Sequence, residues 1–140
     1  MKLSKKGEYA LRALMDLALH YGNGVEPSQE IAENGGIPKS FLEQILITLK
    51  HGGILESRRG AEGGYQLKRP PEEITLGEVI RLIDGPLAPF HDAQRLRELV
   101  AKEERYRGLY SVILDVRNAV AAILDATTLA DLCHRSGRAR

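Results

Sequence analysis

Cysteine is almost missing from this chain. Its 140 residues hold one, Cys133, which excludes an internal disulfide framework and any metal or iron–sulfur site built on several thiolates of one chain. Tryptophan is absent and aromatic residues make up 5%, so the core must be mostly Leu, Ile, Val and Ala. A charge of one sign is missing too: 20 Lys and Arg face 19 Asp and Glu, a formal +1. Residues 1–70 carry 10 basic against 8 acidic side chains and residues 71–140 carry 10 against 11, so no global field announces nucleic acid. Long apolar runs are lacking. The longest, Ala119 to Leu124, is far too short to cross a bilayer. The basic start could introduce a signal peptide, but Glu8, Arg12 and Asp16 interrupt any apolar stretch, so a cytoplasmic protein is expected. No Ser/His/Asp set or phosphate-cradling loop suggests catalysis. His20, His51, His91 and His134 show no metal-ligand spacing, so no enzyme, metal or cofactor is expected.

What is present reads as one domain length with 43% hydrophobic and 28% charged residues, the balance of a folded protein. Ala10, Leu14, Leu17 and Tyr21 recur at helical spacing, with Ser4 as N-cap and "YGNG" as stop. A short helix starts at Ser28, with Ile31 and Ala32 facing inward, and "ENGG" closes it. A third helix follows, with Pro38 in its first turn and Phe41, Leu42, Ile45, Leu46 and Leu49 as its buried stripe. Two short strands, Ile54 to Ser57 and Tyr65 to Lys68, then flank "RRGAEGG". A short helix, a glycine-containing turn and a longer helix form a helix-turn-helix signal, and a hairpin directly after it makes a wing. The fold class is therefore mainly α with a small β-hairpin wing.

Thr75 and Glu78 read as a capping box ahead of Val79, Ile80, Leu82 and Ile83. "PLAPFHD" reads as a loop, and "QRLRELVAKEER" as a solvated helix. Leu109 to Ala126 is a long helix of about 27 Å. Its apolar face holds Leu109, Val112, Ile113, Val116, Ala119, Val120 and Ile123. A stripe that long on a small domain is expected to pack on a second copy. Thr128 caps a last short turn, and "HRSGRAR" has the composition of a frayed end.

The segments "MKLSKKGEYALRALMDLA", "IPKSFLEQILITLKHGGILESRRGAEGGYQL", "ITLGEVIRLIDGPLAP" and "LDVRNAVAAILDATTLADL" resemble the IscR/NsrR/CymR type of bacterial winged-helix transcription regulators. The likeness covers nearly the whole chain apart from 91–107. It implies a homodimer held by the long C-terminal helix and bound to pseudo-palindromic double-stranded promoter DNA, most simply as a repressor. Many such regulators hold an iron–sulfur cluster through three cysteines ahead of the dimerisation helix. Here that interval has none, and Arg107 stands about where the last ligand would precede a Gly-Leu pair. His91, Asp92 and the glutamates cannot replace three thiolates, so a cluster-free member is expected.

The resemblance divides the chain into a DNA-binding domain at 1–70, a connecting helix and sensing loop at 71–108, a dimerisation helix and turn at 109–132, and a disordered tail at 133–140. On the wing, Arg58 and Arg59 would neutralise phosphates or enter the minor groove, and Gly60, Gly63 and Gly64 would allow positive φ and close backbone approach, with Tyr65 beside them. The alternative is a solvated loop. At the start of the third helix, Lys39, Ser40, Glu43 and Gln44 are placed to reach base edges. Glu43 would accept from cytosine N4 or repel other bases; otherwise it merely supports a surface helix. Lys5 suits a phosphate at the first helix's N-terminus, and Tyr9 could add a hydroxyl, though a solvated lysine and a core-edge tyrosine fit equally. Cys133 reads as inert, with a redox switch as the alternative. The signal is open: a small ligand in the 86–108 region, a partner protein, or none. A different class of function, a winged-helix protein-interaction module without DNA binding, stays open.

Overall fold

The computed structural model describes residues 3–87 and 93–138. Helix α1 (Lys5–His20) starts where Ser4 Oγ accepts the Gly7 amide at 2.9 Å and buries Ala10, Ala13, Leu14, Leu17 and Ala18. Helix α2 (Ser28–Gly35) ends on Gly36, whose φ of 60° is the left-handed conformation that releases a helix. Helix α3 (Lys39–His51) follows after one short turn, with Pro38 as N-cap, just outside the first turn expected for it. Strands β1 (Leu55–Arg58) and β2 (Gly64–Leu67) pair antiparallel, with Arg58 opposite Gly64. The hairpin is thus shifted by one residue from the sequence reading at each strand.

After a 3₁₀ turn (Pro71–Glu73) come α4 (Leu76–Asp84), α5 (Ala93–Lys102), α6 (Arg107–Ala126) and α7 (Leu129–Arg135). Thr75 caps α4 by accepting the Glu78 amide at 3.2 Å, but the Glu78 carboxylate pairs with Arg69 rather than returning to the cap. The reciprocal capping box belongs to α7, where Thr128 and Asp131 exchange hydrogen bonds of 2.9 and 3.1 Å. Part of the loop expected at "PLAPFHD", with His91 and Asp92, lies outside the described residues.

The main core gathers α1, α2, α3, the base of the wing, Ile74, Val79, and Leu129 and Cys133 of α7. Packing therefore crosses residue 70, and α7 closes the core of the winged unit. The frayed end expected from 133 is a helix as far as Arg135, because burying Cys133 against α1 holds it in place. Helix α5 is not simply solvated: it packs on α6 and fully buries Leu96. Phe41 departs from its expected place as well. It is exposed in the first turn of α3, while Leu42, Ile45, Leu46 and Leu49 fill the stripe. Among the described residues no helix is long and apolar enough to cross a membrane.

Candidate nucleic-acid interface

Turning α3 so that Leu42, Ile45, Leu46 and Leu49 enter the core leaves Lys39, Ser40, Glu43, Gln44 and Ile47 exposed on its other side. These are the polar positions singled out at the start of the third helix, and the structure keeps all four uncovered. A groove of about 460 Å³ runs between α2 and α3, lined in part by Ser28, Gln29, Lys39 and Glu43. A second concavity, about 500 Å³, lies between the start of α2 and the wing, and Ser28, Gln29, Lys50, Arg58 and Arg59 line it. Ser28 and Gln29 border both. The start of α2 therefore joins the exposed face of α3 to the wing in one continuous surface. Lys50, Ser28 and Gln29 were not legible as part of it, because only the fold brings them beside residues 58–60.

Arg58 and Arg59 are exposed, and neither guanidinium has an ion-pair or hydrogen-bond partner among the described residues. Cross-strand pairing instead links Gln66 to Glu56 at 2.8 Å, leaving the arginine charge at the tip uncompensated. Gly60 has a φ of 107°, a conformation that needs glycine. Gly63 and Gly64 do not have positive φ, contrary to expectation. A Cβ on Gly63 would collide with the Arg58 carbonyl, and one on Gly64 with the Glu26 carbonyl. Their small size serves close approach within this chain.

That approach fixes the wing. Glu26 donates its amide to the Tyr65 carbonyl at 2.8 Å and accepts the Tyr65 amide at 2.9 Å, forming a bridge beside β2. Tyr65 is thus held by its backbone, half-buried at the base of the wing.

At the other end of the surface, Tyr9 of α1 meets Phe41 of α3 edge to face. Lys5 Nζ lies 5.2 Å and Arg12 Cζ 5.7 Å from the Tyr9 ring centroid, within cation–π range. Lys5 also pairs with Glu8 at 3.3 Å, so it is less free than the wing arginines. Phe41 was missed as a surface residue because its spacing matches the buried stripe.

On α6, Leu109, Val112, Val116, Ala119 and Ile123 are exposed, with Val112 60% and Ile123 65% accessible in the single chain. Ile113 and Val120 are half-buried. Cys133 is buried, its Sγ 3.8 Å from the Met15 carbonyl oxygen, and burial pushes its thiol pKa up, against an easily formed thiolate.

A family model described as an iron-dependent transcriptional regulator, Rrf2, matches residues 3–135. The HTH-type transcriptional regulator CymR of Bacillus subtilis is 37% identical over 132 residues, 94% of this chain and 89% of that protein. IscR of Aliivibrio salmonicida is 35% identical over 133 residues, 94% and 77% of the two chains. Among solved structures, CymR of B. subtilis superposes with a TM-score of 0.82 at 33% identity, covering 96% of this chain and 98% of the other. T. potens IscR gives 0.74 at 34% identity, with 97% and 88% covered. The iron in the family's description raises the question of ligands. A cluster takes thiolates, and the single cysteine sits buried on α7; among the described residues no three His, Cys, Asp or Glu side chains gather as a metal site. The residues do not fit a cluster. The extent of these matches and the helix-turn-helix with its wing place the chain in the Rrf2 family of transcriptional regulators, which are not enzymes.

Proposed function

We propose that the protein is a homodimeric, sequence-specific repressor that binds pseudo-palindromic promoter DNA without an iron–sulfur cluster. One observation carries the reading: the exposed row Lys39, Ser40, Glu43 and Gln44 is continuous, through Ser28 and Gln29, with two wing arginines that have no partner among the described residues. A recognition helix offers its N-terminal residues to base edges, while flexible basic tips take phosphates or the minor groove. Gln44 suits adenine and Glu43 suits cytosine N4. Lys5, Tyr9 and Lys50 flank the row as phosphate contacts. The exposed apolar stripe of α6 supports pairing with a second copy, because two-fold contact covers a patch that solvent disfavours. Promoter DNA as partner goes with work in the cytoplasm.

The test is a salt titration on mixed-sequence duplex, followed by selection of bound fragments from random DNA. Binding that weakens steeply with salt, together with a selected inverted repeat, is the expected result. A winged module serving only protein contacts would show no appreciable binding even at low salt, and would displace this reading.

A further inference from the structure

Glu26 is the one buried charged side chain among the described residues, at 4% exposure. Its Oε1 accepts from Asn34 Nδ2 at 3.2 Å, and the same amide nitrogen lies 3.1 Å from Asp16 Oδ2. Its Oε2 has no hydrogen-bond partner among the described residues, while the shared Asn34 amide holds the Asp16 carboxylate beside the Glu26 carboxyl. Two acceptor-only carboxylates cannot bond each other. A proton on Glu26 would let the two carboxyls bond and would satisfy the orphaned oxygen.

The backbone of this residue is the fixed point of the wing. It exchanges both hydrogen bonds with Tyr65 and touches the site where Gly64 must lack a Cβ. Side chain and wing are thus joined through one residue. We propose that Glu26 is a positioning residue for the wing, seating it through a proton shared with Asp16, so that loss of the proton unseats the wing and weakens DNA binding. The second half rests on the DNA-interface reading above; the first half does not.

The surrounding charges favour the protonated state. Asp16 faces Glu26 from α1 and Glu30 faces it from α2, both acidic, while β2 brings Tyr65, joined through the main chain. Arg12, one turn from Asp16, lies 3.6 Å from Glu8 and 3.3 Å from the Gly35 carbonyl. Arg12 and Arg138 border a cavity of about 510 Å³ that reaches Asp16 and Asn34 but is not lined by Glu26. Of the two carboxyls, Glu26 is the buried one and Asp16 the one that borders this cavity. Burial first, then Asp16 and Glu30, raise its pKa to about 8. Ionisation above that point places two like charges together with little water, and the pair must separate. The segment carrying Glu26 is the one that also holds β2.

The experiment follows the parent protein, Glu26→Gln and Asp16→Asn from well below to well above that midpoint. Carboxyl and amide NMR of the full chain reads the pair and the wing, and anisotropy on labelled duplex at constant low salt reads binding. In the parent, the Gly64 and Tyr65 amides should titrate with the Glu26 carboxyl. DNA affinity should fall above the midpoint towards a limit of about tenfold per pH unit. Glu26→Gln, which keeps shape and supplies a permanent donor, should hold the parent's low-pH affinity and give a flat profile. Asp16→Asn should move the midpoint downward. Wing amides that stay silent while Glu26 titrates would overturn the proposal, as would a Glu26→Gln profile as steep as the parent's. Wing amides that follow Glu26 in a protein that binds no DNA at any pH would uphold the positioning role and sink the DNA reading instead.

Discussion

Arg81 and Asp125 meet in a two-point ion pair, with Nη1–Oδ1 at 2.6 Å and Nη2–Oδ2 at 2.8 Å, that fastens α4 to α6. The guanidinium holds the Asp125 carboxyl below its usual range, and the carboxylate raises Arg81 in return. Both side chains are more than a third exposed, so the pair contributes at most about 1 kcal/mol. Its larger effect is geometric. Gly77 lies beneath it at the crossing of α4 and α6, where an added Cβ would strike the end of the Asp125 side chain and displace it. In a dimer built on α6, that crossing would set the separation of the two recognition helices.

Replacing Arg58 and Arg59 together with alanine should weaken binding to every duplex and leave folding intact, since both are exposed on the wing without partners among the described residues. Each lost phosphate contact should flatten the slope of log K against log salt by about 0.9. An unchanged slope in the double variant would remove the wing from the interface.

Glu43→Ala should relax base preference and keep overall binding. In the proposed interface the exposed carboxylate would accept from a base, a discrimination of about 1–3 kcal/mol. Ranking all single-base operator changes with parent and variant is the check; identical rankings would make Glu43 a surface support.

Val116→Asp should dissociate the dimer and take cooperative operator binding with it. The substitution would place two like charges in an apolar contact, where each is costly without a partner. Sedimentation at micromolar concentration decides, and a parent protein that already runs as a monomer would overturn the interface and the palindrome together.

Gly64→Ala should loosen the wing without touching DNA. The added methyl must displace the Glu26 carbonyl, and rigid backbone does not yield as a side-chain end would. A loss of about 1–3 kcal/mol in stability is expected, with faster amide exchange at Tyr65. Gly60→Ala is the comparison: it meets no atoms and is strained only by its φ of 107°.

Glu26 also makes stability depend on pH. Its folded pKa of about 8 stands above the ordinary carboxyl value of 4.5, so the unfolded chain releases the proton first as pH rises. The associated stability is complete below the lower value and lost progressively up to the higher one. Glu26→Gln should therefore be more stable than the parent at neutral pH, by up to about 3 kcal/mol, and the two should converge in acid. Parallel denaturation curves across that window would refute it.

The sequence made the element order legible because capping residues, glycine stops and apolar spacing agree with one another from Ser4 to Leu67. It misplaced Phe41, since periodicity alone cannot show that the first turn of α3 opens toward Tyr9. It gave Gly63 and Gly64 an external role only, where the structure has Gly63 admitting the Arg58 carbonyl and Gly64 the Glu26 backbone. Glu26 itself gave no signal: an acidic residue between Val25 and Pro27 reads as loop until α1, α2 and β2 enclose it. Helix α5 was similarly underread, because one buried leucine among charges leaves little pattern.

Helix α7 has a consequence for how the chain is made. Cys133 reaches Met15 across 118 positions of sequence, and Leu129 fills the same core as α1. During synthesis the amino-terminal helices therefore emerge before the segment that seals them. Helix α6 must also have left the ribosome by then. The winged unit can complete its core only once Leu129 and Cys133 have been made, when the stripe that would recruit a second chain is already available. Folding of the reading head and capture of a partner would then fall in the same short interval.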